Sequence, residues 1–404
     1  MAAKSSTEKT TILIYGAYGY TGALCCEEAA RKELDFIVGG RNKNKVEELA
    51  ASFGVPSLVF ASSEAEAALQ SEAAAGVGVV LNCAGPFVET FDQFAHACCK
   101  TGVHYLDVTG EIEVFQAAAD MSATAKASGT ILMPGVGFDI VATDCVAAAL
   151  KADLPSATHL QLAFTSVGAG GPSKGTATTM VKALAAGQGA VVRREGELHT
   201  LPIAAHSQEV DFGHADAGVD EDLGSQGEAS PRLRHLPKPV VVTRWGDAVT
   251  AFHTTGIKNI EVFLHLPQPA ASIAWLLTSP QAACCCSALP LEAMLTPLMV
   301  PEGGPSASQL AAGRTLVWGC ATDAGTGKRV QRRLHISPGY AFTAKAAVLA
   351  CEYVVFRLPR RMVGAGARPR KGFLTPAAAF GADFATTADP TGVMFKAQES
   401  TDAR

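Results

Sequence analysis

Short apolar blocks alternate with longer amphipathic blocks along the first third of the chain. The runs Thr11–Tyr15 and Phe36–Gly40 are apolar and short, which is typical of buried strands. Residues 20–32 and 45–53 follow them with a pattern that favours helices. Because strands and helices alternate across short loops, we predict a doubly wound α/β domain with a parallel sheet covered on both faces. The other predicted strands are residues 57–60, 77–85, 103–108 and 130–135, and the other predicted helices are residues 63–75, 91–102 and 113–128.

The pattern changes after about residue 137, where half-exposed alternating runs replace the buried ones. Residues 190–203 predict a hairpin that turns at Glu195 and Gly196. Residues 206–239 are polar and predict a long surface loop. We therefore predict a second, α+β domain with a mostly antiparallel sheet over residues 137–337, after a first domain over residues 1–136. The further predicted strands are residues 157–165, 259–266, Arg314–Thr322 and Lys328–Ile336, and the further predicted helices are residues 139–150 and 177–186.

The segment "GAYGYTG" follows the first predicted strand directly. Gly16 stands where the chain turns sharply, Gly19 lets the backbone approach a diphosphate, and Gly22 lets the helix pack closely on the strand. The N–H groups at the helix start then point at the anion. A glycine-rich turn without a ligand is the alternative, but the position at the first strand–helix junction favours a Rossmann-type dinucleotide site. The predicted cofactor-binding residues are Gly16, Ala17, Tyr18, Gly19, Tyr20, Thr21 and Gly22.

The end of the second strand discriminates between the two dinucleotides. Enzymes selective for NAD usually carry an acidic residue there, which accepts hydrogen bonds from the ribose hydroxyls. This strand ends "VGGRN", so Arg41 and Asn42 take that place, with Lys45 beyond them. A guanidinium can clamp a 2′-phosphate and stack on adenine. We therefore predict NADP(H), with a solvated loop charge as the alternative role for Arg41.

The fourth predicted strand ends in "NCAGPF", at the carboxyl edge of the sheet where ligands bind in open α/β folds. Pro86 fixes the turn that we expect beneath the nicotinamide-side ribose. An ordinary strand-to-helix loop is the alternative. The predicted cofactor-binding residues here are Asn82, Ala84, Gly85, Pro86 and Phe87.

The ordered motifs of the chain resemble the saccharopine dehydrogenase-like oxidoreductases, and most of all their trans-acting enoyl reductase branch. The resemblance implies an NADP-binding Rossmann domain, an α/β substrate domain, and last helices within residues 338–404 that return to the first domain. It also implies reduction of C=C bonds in acyl chains or C=N chemistry on amino acids. The motifs that carry it are "GAYGYTG", "GGR", "NCAGPF", "YLDVTGE", "PGVGFDIVATD", "SPGYAFTAKAAVLACEYV" and "KGFLTPAAAFG".

A reductase also needs a group that protonates the atom next to the one receiving hydride. We predict Lys174, in "GGPSKGT", and Tyr340, in "SPGYAFTAK", as proton donors, and Glu111, in "DVTGE", as a ribose or substrate contact. Each has a simpler alternative, since a lysine at a helix start is usually solvated and a tyrosine is often a core residue. Further candidates are Asp107, Asp139, Asp144, Ser173 and Thr176, of which Asp139 could simply cap a helix.

The composition excludes several other classes of protein. A net charge of −5 without a long basic run argues against nucleic acid as a partner. The eleven cysteines cluster as adjacent residues without a C-x-x-C, and the ten histidines form no H-x-x-H, so we predict no metal site and free thiols in a reducing compartment. The start "MAAKSSTEKT" is polar, which predicts a cytoplasmic protein.

Residues 267–291 contain no charged residue. Pro280 and Pro290 interrupt this segment, which favours a buried helical hairpin or a dimer surface over a membrane span. The alternative is peripheral contact with a membrane or a lipid droplet.

We hypothesise an NADPH-dependent oxidoreductase that reduces a C=C or C=N bond of a hydrophobic or biosynthetic small molecule. The second hypothesis is an amino-acid or opine-type dehydrogenase, which needs arginines that clamp two carboxylates. Arg193 and Arg194 lie in the predicted hairpin and do not suggest such a clamp. The third hypothesis is a non-catalytic NADP-binding protein at a membrane or lipid droplet.

Overall fold

The chain forms two compact units in a computed structural model. The first consists of Met1–Phe138 and Thr343–Ala379, and the second of Asp139–Phe342 and Phe380–Arg404. The expected return of residues 338–404 to the first domain is therefore wrong for its last part, because residues 393–396 pair with a strand of the second unit. The structure describes residues 9–213, 237–279, 291–357, 371–396 and 399–401.

The described strands follow the predicted pattern closely in the first unit and add several strands in the second. They are β1 (Thr11–Tyr15), β2 (Phe36–Gly40), β3 (Ser57–Val59), β4 (Val77–Asn82), β5 (His104–Asp107), β6 (Ile131–Met133), β7 (His159–Val167), β8 (Ala190–Arg194), β9 (Glu197–Leu201), β10 (Ser207–Asp211), β11 (Pro237–Val242), β12 (Asn259–Leu264), β13 (Arg314–Thr322), β14 (Lys328–Ile336), β15 (Gly372–Phe373), β16 (Val393–Lys396) and β17 (Ser400–Thr401).

The described helices are mostly short, and 3₁₀ turns at Ser62–Glu64 and Glu72–Ala74 and a π turn at Tyr353–Arg357 accompany them. They are α1 (Tyr20–Arg31), α2 (Lys43–Phe53), α3 (Ala65–Gln70), α4 (Phe87–Thr101), α5 (Ile112–Asp120), α6 (Ser122–Ser128), α7 (Phe138–Asp153), α8 (Lys174–Ala185), α9 (Asp247–Thr255), α10 (Gln268–Thr278), α11 (Leu291–Met299), α12 (Ala307–Ala312), α13 (Gly339–Glu352), α14 (Pro376–Phe380) and α15 (Phe384–Ala388).

The first unit contains a seven-stranded parallel sheet in the order β15-β6-β5-β4-β1-β2-β3. The strand order reverses between β1 and β4, which is where doubly wound sheets bind their ligands. Every residue of β2 and β4 is buried, as expected for strands covered on both faces. The Rossmann-type prediction is confirmed, and β15 extends the predicted sheet by one strand.

The second unit is built on a mixed sheet in the order β10-β11-β12-β7-β13-β14-β16. Only β7 and β12 pair in parallel along this path, so the prediction of a mostly antiparallel sheet is confirmed. Glu195 and Gly196 turn the predicted hairpin with positive φ values of 48° and 93°. The prediction of a polar loop over residues 206–239 is wrong at both ends, where β10 and β11 pair with each other. The middle of this segment lies outside the described residues.

One helix of the described residues, spanning Gly339–Arg357, has the length and mean hydropathy to cross a membrane. The 18-residue window has a mean hydropathy of 1.2, and 61% of it is buried inside the protein. This burial is typical of a core helix.

Candidate dinucleotide site

The turn after β1 is built around Gly16. Its φ of +74° lies in the left-handed region that favours glycine. A β-carbon on Gly16 would also lie 2.8 Å from the β-carbon of Ala84, on the loop after β4. The N–H groups of Gly16 and Ala17 both donate to the carbonyl of Gly39 on β2, at 3.0 and 3.2 Å. The turn is thus held against both neighbouring strands.

The start of α1 packs so closely on this turn that it requires glycine. A β-carbon on Gly22 would lie 2.4 Å from the carbonyl oxygen of Gly16 and 2.7 Å from the α-carbon of Ala17. Gly19 takes the cap position of α1 with an extended backbone and contributes no side-chain acceptor. No side chain at this cap position accepts from the first N–H groups of α1, which suits a turn that binds an anion such as a diphosphate. This geometry fits the predicted dinucleotide turn.

The end of β2 places cations beside an aromatic ring. The Tyr18 ring covers Gly40, where a β-carbon would lie 2.7 Å from its Cε1 atom. The Lys45 ammonium lies 5.7 Å from the centre of the same ring, and Arg41 is exposed. Asn42 caps α2, because its side-chain oxygen accepts from the Lys45 N–H at 3.1 Å. Arg41, Lys45 and Tyr18 are therefore the candidates at the end of β2 for contact with the adenine side of a cofactor.

The loop after β4 is fixed by a buried amide. Asn82 is fully buried, and its side-chain oxygen accepts from the Ala84 N–H at 3.0 Å. The amide nitrogen of Asn82 donates to the Thr90 hydroxyl at 3.0 Å. That hydroxyl donates in turn to the Ala84 carbonyl at 3.2 Å. Both backbone groups of Ala84 are therefore held, which directs the Asn82 side chain to the loop rather than to a ligand.

Glu111 caps α4, which begins at Phe87 rather than at the expected residue 91. The Glu111 carboxylate accepts from the N–H groups of Phe87 and Val88, at 3.0 and 2.8 Å. Pro86, which follows a cis peptide bond, takes the cap position and has no side-chain acceptor of its own. Burial raises the pKa of Glu111, and the two backbone hydrogen bonds oppose that rise. The structure thus gives Glu111 a structural role in the first unit.

Tyr105 and Asp107 extend the Asn82 network below the sheet edge. Both are fully buried, and Tyr105 donates to the Asp107 carboxylate at 2.7 Å. The other oxygen of Asp107 accepts from the N–H groups of Thr109 and Gly135, at 3.0 and 2.9 Å. Burial raises the pKa of Asp107 to about 7, although the three hydrogen bonds lower it. Sequence analysis missed Tyr105, although the i, i+2 spacing to Asp107 already places both side chains on one face of β5.

The second unit brings Tyr340 to the start of α8. Its hydroxyl accepts from the Ser173 N–H at 2.6 Å and donates to the Thr176 hydroxyl at 2.9 Å. Lys174 lies between these two residues and is exposed. Two of the three predicted catalytic residues are thus neighbours, whereas Glu111 belongs to the other unit.

Three further carboxylates lie close together in the second unit. Asp144 and Asp247 are fully buried, with Asp144 accepting from Thr254 and Asp247 accepting from Thr143 at 2.9 Å. Burial raises the pKa of Asp247 well above its usual value, and the nearby Asp144 raises it further. Burial likewise raises the pKa of Asp139 to about 7. The described residues contain no group of three or more metal-ligating side chains suited to a metal ion.

Arg193 and Arg194 are both engaged within the second unit. Arg193 is 7% exposed, donates to the Ala248 carbonyl at 2.8 Å and stacks 4.2 Å from the Phe252 ring centre. Arg194 forms an ion pair with Glu261 at 2.5 Å. Neither arginine is therefore free to clamp a substrate carboxylate.

The described cysteines are free thiols, as expected. Cys25, Cys26 and Cys351 are buried in the first unit, and burial raises the pKa of Cys351. Cys284, Cys285 and Cys286 lie outside the described residues.

The fold and this site define a dinucleotide-binding protein of the doubly wound α/β class. Residues 12–133 match the family model of the saccharopine dehydrogenase NADP binding domain. This match agrees with the family resemblance predicted from the motifs and with NADP(H) as the predicted cofactor.

The curated relatives are similar over the first third of the chain. The saccharopine dehydrogenase-like oxidoreductase of Homo sapiens is 29% identical over 153 residues, which is 33% of this chain and 35% of the relative. The trans-acting enoyl reductase of Mycobacterium leprae (strain TN) is 32% identical over 139 residues, 33% of each chain. A lipid droplet localized protein of Caenorhabditis elegans is 28% identical over 148 residues, which is 33% of this chain and 34% of the relative. The similarity thus spans about a third of each relative.

A solved structure extends the likeness in fold to the whole chain. Apo saccharopine dehydrogenase (L-Glu forming) from Saccharomyces cerevisiae has a TM-score of 0.58, with 98% of this chain and 100% of that chain covered. Because the sequence identity is 11%, this match shows similarity of fold only.

Proposed function

We propose that the protein is an NADPH-dependent reductase of a C=C or C=N bond in a largely apolar or biosynthetic small molecule. The observation that carries this proposal is the glycine turn at Gly16 and Gly22 together with Arg41 at the end of β2. A β-carbon on Gly16 would meet Ala84, and one on Gly22 would meet the carbonyl oxygen of Gly16, so both glycines are needed for the close packing of this turn. The bound cofactor would supply the hydride.

Different residues of the first unit would bind different parts of the cofactor. The N–H groups at the start of α1 would bind the diphosphate. Arg41, with Lys45 and Tyr18, would bind the 2′-phosphate and the adenine. The loop over residues 83–87 would line the nicotinamide side, with Gly85 offering backbone groups. Asn42 and Asn82 support these elements through their caps and turns.

Tyr340 is the proton donor that the contacts favour. The Tyr340 oxygen accepts a hydrogen bond from the Ser173 N–H, which would stabilise negative charge on that oxygen when the proton leaves. The Thr176 hydroxyl accepts a hydrogen bond from the Tyr340 hydroxyl and would offer a path by which the donated proton is replaced. The exposed Lys174 ammonium adds positive charge at the same helix start. The proton would go to the atom next to the one that receives hydride.

An apolar substrate fits better than an amino diacid. Arg193 and Arg194 already bind the Ala248 carbonyl and the Glu261 carboxylate of their own unit, which does not support a carboxylate clamp. A saccharopine-like reaction would need cations that pair with two substrate carboxylates.

The test is turnover of NADPH with a panel of enoyl thioesters, imines and keto acids, followed as loss of absorbance. Turnover of an enoyl thioester or imine supports the proposal. Turnover of a keto acid with an amine instead supports an amino-acid dehydrogenase. Tight NADPH binding with no turnover on the panel supports a non-catalytic NADP-binding protein.

A second proposal concerns location, and we infer that α10 and α11 contact a lipid surface. Their exposed apolar side chains include Ile273 at 57%, Leu276 at 54% and Leu298 at 81%. The buried hairpin is wrong for α10, because only its small residues Ala271 and Ala274 are buried, whereas the expected dimer surface is not contradicted and residues 280–290 lie outside the described residues. Exposed Trp275 suits a membrane interface, and residues 267–291 carry no charge that would resist entry. The lipid droplet localized relative also supports this location.

Flotation with phosphatidylcholine-coated triolein droplets tests the lipid proposal. The change of Leu276 and Leu298 to serine should reduce the floating fraction, whereas Val59→Ser, at another exposed position in the first unit, should leave it unchanged. Equal flotation of all variants would contradict lipid contact. A loss of dimers in sedimentation, without any flotation of the unaltered protein, would assign the surface to a homodimer instead.

A further inference from the structure

A chain of buried hydrogen bonds runs from β6 to the loop that faces the Gly16 turn. It begins at the Asp107 carboxylate, which holds the Gly135 N–H at 2.9 Å. It passes through the Tyr105 hydroxyl at 2.7 Å and on to the Asn82 amide at 3.3 Å. It ends on Ala84, whose N–H donates to Asn82 at 3.0 Å. The side chains of Asn82, Tyr105 and Asp107 thus link β4, β5 and the end of β6 in addition to the backbone pairing of the sheet.

The direction of hydrogen donation along this chain is fixed at both ends. Asp107, when ionised, can only accept, so Tyr105 must donate to it. The Tyr105 oxygen is then left to accept from the Asn82 nitrogen. This orients the Asn82 carboxamide so that its oxygen faces the Ala84 N–H. A carboxylate at residue 107 therefore selects the amide orientation that holds Ala84.

Ala84 is the point where this network reaches the dinucleotide turn. A β-carbon on Gly16 would lie 2.8 Å from the Ala84 β-carbon and 2.9 Å from its backbone nitrogen. A shift of Ala84 by a few tenths of an ångström would therefore change the width of the gap between the β1 turn and the β4 loop. That gap lies at the reversal of strand order, where the nicotinamide half of the cofactor would enter.

We propose that Asp107, Tyr105 and Asn82 are positioning residues, which hold Ala84 and the loop over residues 83–87 for the nicotinamide half of NADP(H) without touching the cofactor. The proposal rests on the proposed cofactor site. The adenine half lies with Arg41 and β2 and is outside the reach of this network. A defect in the network should therefore separate the two halves of the cofactor.

The test compares NADPH with adenosine 2′,5′-bisphosphate, which has the adenine half but no nicotinamide. Tyr105→Phe removes only the hydroxyl and keeps the ring, whose centre lies 5.4 Å from the centre of the Phe91 ring. We expect it to weaken NADPH by about 3- to 10-fold, as the loss of one or two buried hydrogen bonds predicts. Its affinity for adenosine 2′,5′-bisphosphate should stay within about twofold of the unaltered protein.

Tyr15→Phe is the matched control. Tyr15 is also a buried tyrosine of the same sheet, and its hydroxyl donates to the Phe60 carbonyl at 3.1 Å, away from residue 84. It should leave both affinities unchanged. Thr90→Val provides a second route to the same loop, because it removes the hydroxyl that donates to the Ala84 carbonyl and keeps the side-chain shape. It should reproduce the selective loss of NADPH affinity in a half-buried position that tolerates the change.

Parallel losses of both ligands in Tyr105→Phe and Thr90→Val would overturn the proposal, because they would show a general structural defect. Unchanged NADPH affinity in both variants would also overturn it. Failure of the unaltered protein to bind NADPH, in contrast, would contradict the proposed cofactor site itself.

Discussion

Gly16 and Ala84 approach each other so closely that a β-carbon on Gly16 would lie 2.8 Å from that of Ala84. These two residues belong to the loops after β1 and β4, on either side of the reversal of strand order. The glycine is therefore required by the neighbouring loop as well as by its own φ of +74°. Two independent constraints at one position predict that Gly16 does not tolerate substitution.

Gly16→Ala should abolish measurable NADPH binding, because the added methyl group displaces Ala84. Gly54→Ala is the matched control, since Gly54 has a φ of +67° and no atom within 4 Å of an added β-carbon. The control should lose only about 1 kcal/mol of stability from the left-handed backbone and keep its NADPH affinity. Thermal unfolding and NADPH fluorescence would measure the two effects. Equal NADPH affinity in both variants would contradict the role of the close approach.

Arg41→Ala should weaken NADPH by several-fold to a hundredfold, since a charge-assisted pair with the 2′-phosphate contributes about 1–3 kcal/mol. NADH, which lacks this phosphate, should bind as before. Lys43→Ala is the matched control, because Lys43 carries the same charge two residues further on, at the start of α2, and its ammonium lies 3.9 Å from the Glu47 carboxylate. Calorimetric titration with both cofactors would check this. Equal losses for NADPH and NADH would argue against the 2′-phosphate role of Arg41.

The sequence predicts the elements of the first unit better than those of the second for a physical reason. Thr11–Tyr15 and Phe36–Gly40 are buried on both faces, so their apolar runs mark them without reference to a partner. The strands Ser207–Asp211 and Pro237–Val242 are half exposed and pair across a long intervening segment. Local periodicity carries no information on such a partner, so both were taken for loop.

The site shows the same division. The glycines belong to a local motif and Arg41 follows β2 directly, so the sequence alone predicts where these residues lie. Glu111 is separated by 24 residues of sequence from Phe87, whose N–H donates to it. Tyr340 is separated by 167 residues from Ser173, whose N–H donates to the tyrosine oxygen. Only the fold brings these pairs together, which is why Glu111 was expected at the ribose and is found at the start of a helix.

Tyr340→Phe should lower kcat by about 10²- to 10⁴-fold on an accepted substrate if Tyr340 is the general acid. The affinity for NADPH should not change, because the hydrogen bonds of Tyr340 with Ser173 and Thr176 do not involve the proposed cofactor-binding residues. Lys174→Ala should have a smaller effect, since its side chain is exposed. Steady-state kinetics with the best substrate of the panel would measure both. A Tyr340→Phe variant with unchanged kcat would transfer the proton donation to another group.

Asp107 should make the protein less stable as the pH rises from about 4 to about 7. Its pKa is raised from 3.8 to about 7 in the folded protein, so the folded state holds a proton that the unfolded state releases in this range. The contribution is complete below the unfolded pKa and is lost as the pH passes the folded one. Each pKa unit corresponds to about 1.4 kcal/mol, which gives an upper bound of about 4 kcal/mol for this carboxyl.

Asp107→Asn should remove this pH dependence, because an amide does not titrate. Denaturant unfolding at pH 5 and pH 8 would give the free energy of unfolding of each variant, and the difference between the two pH values is the quantity to compare. The exposed Asp92→Asn variant serves as the control and should keep the difference found in the unaltered protein. The substitution also replaces one acceptor oxygen by an amide nitrogen, which lowers the stability of Asp107→Asn at both pH values, so the absolute values are not the test. An unaltered difference between pH 5 and pH 8 in Asp107→Asn would show that the Asp107 carboxyl is ionised throughout this range, despite its burial beneath the sheet edge.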